Sequence, residues 1–252
     1  MPTLIAHRGA STDAPENTLA AFELAWQQGA DGIEGDFRLT RDGEIVCMHD
    51  ASTERTTGCA LKVADTTFAE LRQLDAGAWM GEPWRGLRIP TLGEVLATVP
   101  AGKQVFIEIK CGPEIVPALE AALAACAPPA ARIALLAFDT RVVAEAKQRL
   151  PWLGAIWLTG FREARTSGAR PSAGEIVEAL EAAGADGVGC SSHPVIDREF
   201  VQTLHDADKE VHVWTVDDVP AARRYLQLGV DSITSNRAGW LKQQLCAEPA
   251  TR

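Results

Sequence analysis

The sequence predicts a (β/α)8 barrel, and three observations point to it. At 252 residues the chain has the usual size of one such domain, taken here as residues 1–252, and ample length for a large core. Strand-like and helix-like segments alternate along it, as a parallel sheet with crossover helices requires. The side chains suited to chemistry repeatedly follow short apolar runs: His7-Arg8 after Thr3-Leu-Ile-Ala, Glu34 and Asp36 after Asp31-Gly-Ile, His49-Asp50 after Glu44-Ile-Val-Cys-Met, and Glu108 and Lys110 after Gln104-Val-Phe-Ile. Barrels of this kind build their active sites at the C-terminal ends of the strands.

In chain order, a first strand near 3–6 leads to a helix over 17–28 and a second strand near 31–37. Residues 38–90 then break the rhythm as an inserted hairpin and loop region, with Thr40-Arg-Asp-Gly as its turn. Long excursions from a regular barrel are usually functional loops, and this one holds His49 and the exposed-looking Trp79 and Trp84. The alternation resumes with a helix at 92–99. Strands follow near 104–109, 132–137, 153–158, 186–190, 210–215 and 231–234, separated by helices at 114–126, 140–149, 173–183, 197–208 and 218–228 and closed by one at 238–245. Three helix-to-strand junctions repeat as Gly29-Ala-Asp-Gly, Gly184-Ala-Asp-Gly and Gly229-Val-Asp-Ser, where glycine suits a left-handed helix C-cap. Residues 248–252 read as a tail.

A formal charge of −10 disfavours nucleic acid or an anionic membrane as partner. The sequence shows neither a signal peptide nor a membrane-length apolar span, and a cytoplasmic protein is the simplest expectation. Cys47, Cys59, Cys111, Cys126, Cys190 and Cys246 are scattered, contain no C-x-x-C pair, and read as reduced, inert thiols. No residue pattern specifies an oligomeric state.

Residues two apart on a strand share a face, so Glu34 and Asp36 can converge, with Glu108 completing the cluster from the neighbouring strand. Carboxylates so crowded repel unless a cation compensates them, and hard oxygen donors select Mg²⁺ or Ca²⁺. His7 and His49 can pass protons in either direction near neutral pH, so they serve as candidates for an acid and a base. Arg8 and Lys110 place fixed positive charge beside the proposed cation, as stabilisation of a phosphoryl transition state would require. An acidic chain that concentrates cations at one rim suggests an anionic small-molecule substrate. Asp13 and Asp50 read as turn or supporting groups.

These residues also carry a resemblance. His7-Arg-Gly-Ala, Pro15-Glu-Asn-Thr18, Glu34-Gly-Asp36, His49-Asp50, Arg55-Thr-Thr-Gly58, Ile89-Pro-Thr-Leu92, Ile107-Glu-Ile-Lys110 and Val213-Trp-Thr-Val216 stand in the order found in the glycerophosphodiester phosphodiesterase family, which the chain resembles over nearly the whole barrel. The resemblance implies hydrolysis of glycerophosphodiesters, such as glycerophosphocholine or glycerophosphoethanolamine, to glycerol 3-phosphate and an alcohol. It implies one divalent cation on Glu34, Asp36 and Glu108, an acid–base pair of His7 and His49, and phosphate contacts from Arg8 and Lys110. Glu16 and Asn17 match the loop that braces the metal site, and Trp214 matches an aromatic lining the substrate pocket. The family mechanism is drawn with attack by the glycerol hydroxyl to give a cyclic phosphate that water then opens.

Two positions depart from the family pattern: Ser235-Asn236 stands where Thr-Asp is common, and Ala137 where a Ser is common. The first puts in doubt here any role of that Asp on the rim. Trp79, Trp84, Trp152, Trp157 and Trp240 read as packing residues. Competing readings are a lysophospholipase D activity, for which Trp79, Trp84 and Leu87 are the modest hint, and a noncatalytic barrel that binds a phosphorylated ligand. The complete set of ligand and histidine candidates disfavours the second. A His-rich metal amidohydrolase is disfavoured by the absence of a His-x-His pattern.

Overall fold

In a computed structural model of the chain, which describes residues 2–126, 130–161 and 171–247, eight parallel strands close into a barrel. The tail expected over 248–252 lies outside the described residues. The strands are β1 (Thr3–His7), β2 (Gly32–Leu39), β3 (Ile45–Cys47), β4 (Gln104–Ile109), β5 (Arg132–Ala137), β6 (Gly154–Thr159), β7 (Gly187–Ser191), β8 (Glu210–Trp214) and β9 (Ser232–Ser235). Around the barrel they run β1-β9-β8-β7-β6-β5-β4-β2, and a parallel β1–β2 pairing closes the ring. Short β3 adds antiparallel to β2 outside it.

The helices are α1 (Leu19–Gln27), α2 (Glu54–Thr57), α3 (Phe68–Leu71), α4 (Leu92–Ala97), α5 (Val116–Cys126), α6 (Thr140–Arg149), α7 (Ala173–Ala183), α8 (Arg198–Asp206), α9 (Val219–Leu228) and α10 (Ala238–Cys246). Several start later than hydrophobic periodicity predicts because a polar residue caps them: the side chains of Thr18 and Asp197 accept from the Ala21 and Phe200 amides, so α1 and α8 begin at the next residue. The junction glycines behave as expected, with φ of +85° at Gly29, +68° at Gly184 and +82° at Gly229.

The aspartates that follow them have a role the sequence did not disclose. Asp31, Asp186 and Asp231 accept from the backbone amides of Leu4, Ala155 and Val211, at 3.1, 2.8 and 2.7 Å. Each also pairs with a cation or imidazole from a helix: Lys242, Lys147 and His205 respectively. The repeat therefore latches adjacent strands at the N-terminal end of the barrel.

Alternation along each strand divides the apolar residues into two cores. Ile5, Phe106, Ala134, Leu136, Ile156 and Leu158 fill the barrel interior, with Trp214 packed on them. Their neighbours in sequence, such as Leu4, Ile33, Val105, Ile107, Leu135 and Val188, pack outward against the helices. The interior also holds a buried polar pair, His212 Nδ1 with Ser232 Oγ at 2.7 Å, beside Phe106.

At the start of the insertion Phe37, Arg38 and Leu39 pair antiparallel with Cys47, Val46 and Ile45 as a hairpin. The Thr40 turn forms as expected: the Thr40 amide donates to the Glu44 carbonyl at 2.9 Å. Beyond β3 the insertion is short helical turns around a satellite core of Val46, Met48, Val63, Leu71, Ala76 and Ile89. That core anchors the segment carrying His49 at the rim. Trp79 is exposed and Trp84 half-buried. Among the described residues no helix is long and apolar enough to cross a membrane.

Candidate active site

Strand register assembles the site. Cα pairing sets His7 beside Glu34 and Asp36 beside Glu108, so three adjacent strands deliver four functional side chains to one end of the barrel. Glu34, Asp36 and Glu108 are buried, and each offers a carboxylate oxygen within 4.8 Å of the others. The cluster borders a cavity of about 300 Å³ that is also lined by His7, Arg8, His49, Lys110 and Trp214. Opposite the charged groups, Leu136, Phe138, Leu158 and Trp214 form an apolar wall, with Phe138 and Trp214 edge to face at 5.7 Å.

The loop after β1 turns sharply so that Arg8 can face the carboxylates. Arg8 itself has φ +56° and Gly9 φ +80°, and a Cβ on Gly9 would lie 2.6 Å from the Ala21 carbonyl carbon. The Arg8 amide donates to Glu34 Oε2 at 2.9 Å, one guanidinium nitrogen donates to Glu16 Oε1 at 2.9 Å, and Nε lies 3.1 Å from Asp36 Oδ2. Asn17, at φ +58°, grips Asp36 twice: Nδ2 donates to Oδ2 at 2.8 Å and Oδ1 accepts from the Asp36 amide at 3.1 Å. The Cys47 thiol donates to the same Asn17 oxygen at 3.2 Å. Lys110 Nζ contacts Glu108 Oε1 and lies 3.1 Å from Asp36 Oδ1.

His49 is held from the insertion side. Its Nδ1 meets Asp50 Oδ1 at 2.7 Å, and Asp50 Oδ2 accepts from Arg55 Nε at 2.6 Å. Arg55 then makes a two-pronged contact with Glu16 at 2.9 and 2.8 Å, so Glu16 bridges Arg8 and Arg55 across the cavity mouth. Arg38 ties the rim together by donating to the carbonyls of His49 and Lys110. His7 Nδ1 meets Asn236 Oδ1 at 2.7 Å.

The electrostatics are those of a cation site. Burial, then repulsion from Asp36, pushes Glu34 up to about 8. Burial, then repulsion from Glu34 and Asp36, pushes Glu108 up to about 7. Burial would raise Asp36 as well, but Lys110 and Arg8 outweigh it and hold this carboxyl below its ordinary value. Both histidines are held below theirs, chiefly by burial and secondarily by the neighbouring cations.

Glu34 Oε1 and Asp36 Oδ1 are buried with no hydrogen-bond donor among the described residues; the Lys110 ammonium near Asp36 Oδ1 is an ionic contact out of hydrogen-bond alignment. Two orphaned carboxylate oxygens in a cluster completed by Glu108 fit a hard divalent cation, which would take these lone pairs and relieve the repulsion.

All of the side chains picked from the sequence around the rim meet here: His7, Arg8, Glu16, Asn17, Glu34, Asp36, His49, Asp50, Glu108, Lys110 and Trp214. Arg38, Asn236 and Asp217 were not picked for a role. The signal for Arg38 was present, since it continues the two-residue periodicity of Glu34 and Asp36 along β2. Asp217 and Asn236 lie in loops whose contact no periodicity reveals.

Residues 7–239 match the sequence profile of the glycerophosphoryl diester phosphodiesterase family. A glycerophosphodiester phosphodiesterase from Caldanaerobacter subterraneus is 35% identical over 248 residues, covering 94% of this chain and 95% of the relative. One from Bacillus subtilis is 30% identical over 250 residues, covering 92% and 82%. Among solved structures, an Oleispira antarctica phosphodiesterase in complex with the product sn-glycerol-3-phosphate is 30% identical, with a TM-score of 0.88 and 98% of each chain covered.

Proposed function

Because the chain belongs to the glycerophosphoryl diester phosphodiesterase family and is a glycerophosphodiester phosphodiesterase, we propose that it hydrolyses small glycerophosphodiesters such as glycerophosphocholine and glycerophosphoethanolamine. The products are glycerol 3-phosphate and the free alcohol. The observation that carries this reading is the convergence of three buried carboxylates, two histidines and two cationic side chains on one cavity of about 300 Å³. Binding of sn-glycerol-3-phosphate by the Oleispira protein supports the same product here.

Glu34, Asp36 and Glu108 hold one divalent cation, Mg²⁺ or Ca²⁺, which when bound supplies Lewis-acid polarisation of the phosphoryl group and charge neutralisation. Arg8 and Lys110 complete the positive lining and receive the nonbridging phosphate oxygens. Trp214, with Leu136, Phe138 and Leu158, gives the carbon skeleton of the substrate an apolar surface. One of His7 and His49 takes the proton of the attacking glycerol hydroxyl as the new P–O bond forms, giving a cyclic phosphate that water then opens to glycerol 3-phosphate. The other gives a proton to the departing alkoxide oxygen as the old P–O bond breaks, and each transfer is worth roughly 10²- to 10⁴-fold. Glu16, Asn17 and Asp50 hold Arg8, Asp36 and His49 in place. All six thiols are unpaired, which supports a reducing, cytoplasmic setting.

The test is release of glycerol 3-phosphate from glycerophosphocholine by the purified protein, with EDTA and with Mg²⁺ or Ca²⁺ restored. Activity should vanish on chelation, return with one of the cations, and be absent from Glu34→Ala and His7→Ala. Full activity in EDTA would overturn the cation's part. Turnover confined to lysophospholipids in detergent would overturn the choice of substrate.

A further inference from the structure

We infer that Asp217 and Asn236 form a clamp that fixes His7 as the Nδ1–H tautomer, leaving the Nε2 lone pair in the cavity as the proton acceptor. The inference rests on the acid–base role proposed above and adds to it two positioning residues and a direction for the proton.

The argument is one of donors and acceptors. The Asp217 carboxylate receives three hydrogen bonds: Oδ1 from Ser235 Oγ and the Asn236 amide, both at 2.8 Å, and Oδ2 from Asn236 Nδ2 at 2.6 Å. An amide nitrogen can only donate, so the Asn236 side chain cannot turn over without setting its oxygen against a carboxylate oxygen. Asn236 Oδ1 must therefore face His7, and it lies 2.7 Å from Nδ1. An amide oxygen can only accept, so His7 Nδ1 carries the hydrogen. In the neutral ring this leaves Nε2 unprotonated, and Nε2 lies 3.9 Å from Glu34 Oε2.

The clamp is anchored on both sides. Ser11 Oγ, from the loop after β1, donates to the His7 carbonyl at 2.7 Å and lies 3.1 Å from Asn236 Oδ1. The Asn236 carbonyl accepts from the Thr12 amide at 3.2 Å, and Arg237 Nε donates to the Asp217 carbonyl at 3.1 Å.

The contrast with His49 gives the direction. His49 Nδ1 meets a carboxylate and His7 Nδ1 a neutral amide oxygen that is itself fixed by Asp217. With its Nδ1–H held, His7 presents only the unprotonated Nε2 to the cavity and starts as the acceptor, which leaves His49 to deliver a proton to the leaving oxygen.

Exchange of the two side chains tests the clamp. Asn236→Asp sets two carboxylates against each other, and Asp217→Asn, whose oxygen still accepts from Ser235 Oγ and the Asn236 amide, sets its Nδ2 against Asn236 Nδ2. The double variant Asp217→Asn/Asn236→Asp restores every pairing with the amide and carboxylate interchanged. Each single variant should lose kcat on glycerophosphocholine by on the order of 10²-fold, with KM within about twofold. The double variant should recover to within about fivefold of wild type. Single variants as active as wild type, or a double variant no better than the singles, would overturn the inference.

The second readout needs neither turnover nor a variant that folds. In ¹⁵N-histidine-labelled wild-type protein, the His7 signals should show a protonated Nδ1 and an unprotonated Nε2. The opposite tautomer refutes the clamp outright. A wild-type protein that shows the expected tautomer yet cleaves no glycerophosphodiester with either cation would refute the proposed function and leave the clamp standing.

Discussion

Replacing Glu34 with Gln should make the metal-free protein more stable in base while destroying its response to divalent cations. Gln keeps the shape and can still accept the Arg8 amide, but it carries no charge into the buried cluster. Burial, with repulsion from Asp36, raises the Glu34 carboxyl in the folded protein from 4.5 to about 8. Well below pH 4.5 the group is protonated in both folded and unfolded chains and folding incurs no penalty. As pH climbs toward 8 the unfolded chain releases the proton first, so stability present in acid is progressively lost. At about 1.4 kcal/mol per unit the loss approaches a few kcal/mol above pH 8, equivalent to roughly 10 °C in Tm for a chain of this size.

The assay is urea or thermal unfolding of wild type and Glu34→Gln in EDTA at pH 5 and pH 8.5. The two should be nearly equal at pH 5, and the variant should be the more stable at pH 8.5. Mg²⁺ or Ca²⁺ should stabilise wild type more at pH 8.5 than at pH 5, because the raised carboxyls, Glu108 at about 7 included, must release protons to bind it. The variant should scarcely respond. A wild type to variant difference independent of pH, or a variant less stable in base, would refute the description of Glu34 as a buried, repelled carboxylate.

Three further outcomes follow from the contacts around that cluster. Asn17→Ala removes both side-chain hydrogen bonds to Asp36 and should weaken cation affinity by roughly 10- to 100-fold in calorimetric titration; unchanged affinity would contradict the bracing role. Asp186→Ala releases the Ala155 amide and Lys147 at the far end of the barrel, so it should lower unfolding free energy by about 1–3 kcal/mol with kcat unchanged. Trp214→Ala removes part of the apolar wall of the cavity and should raise KM for glycerophosphocholine roughly tenfold while kcat changes less, as steady-state kinetics would show.

The barrel was legible because its strands are short apolar runs at regular spacing, and period-two alternation at their ends delivers Glu34, Asp36 and Glu108 to one face. Bracing was harder to read. Arg55 reaches Glu16 across 39 positions and His7 meets Asn236 across 229, and no local pattern encodes such pairings. In the sequence, the departure at Ser235-Asn236 put in doubt the role of the Asp common at that position. In the fold both residues bond to Asp217, which lies in the loop after β8 and shows no special pattern of its own. The junction aspartates were visible as a repeat, but their latch on neighbouring strands depends on register, which a sequence read one strand at a time does not contain.

The central claim is that Glu34, Asp36 and Glu108 hold the cation at the place where the phosphodiester is cleaved. Crystals grown with Mn²⁺ and glycerol 3-phosphate test it most directly through anomalous scattering. The account predicts one anomalous peak among the three carboxylates, with the phosphate bound beside it between His7 and His49. A cation bound elsewhere, or a phosphate seated away from both histidines, would contradict it.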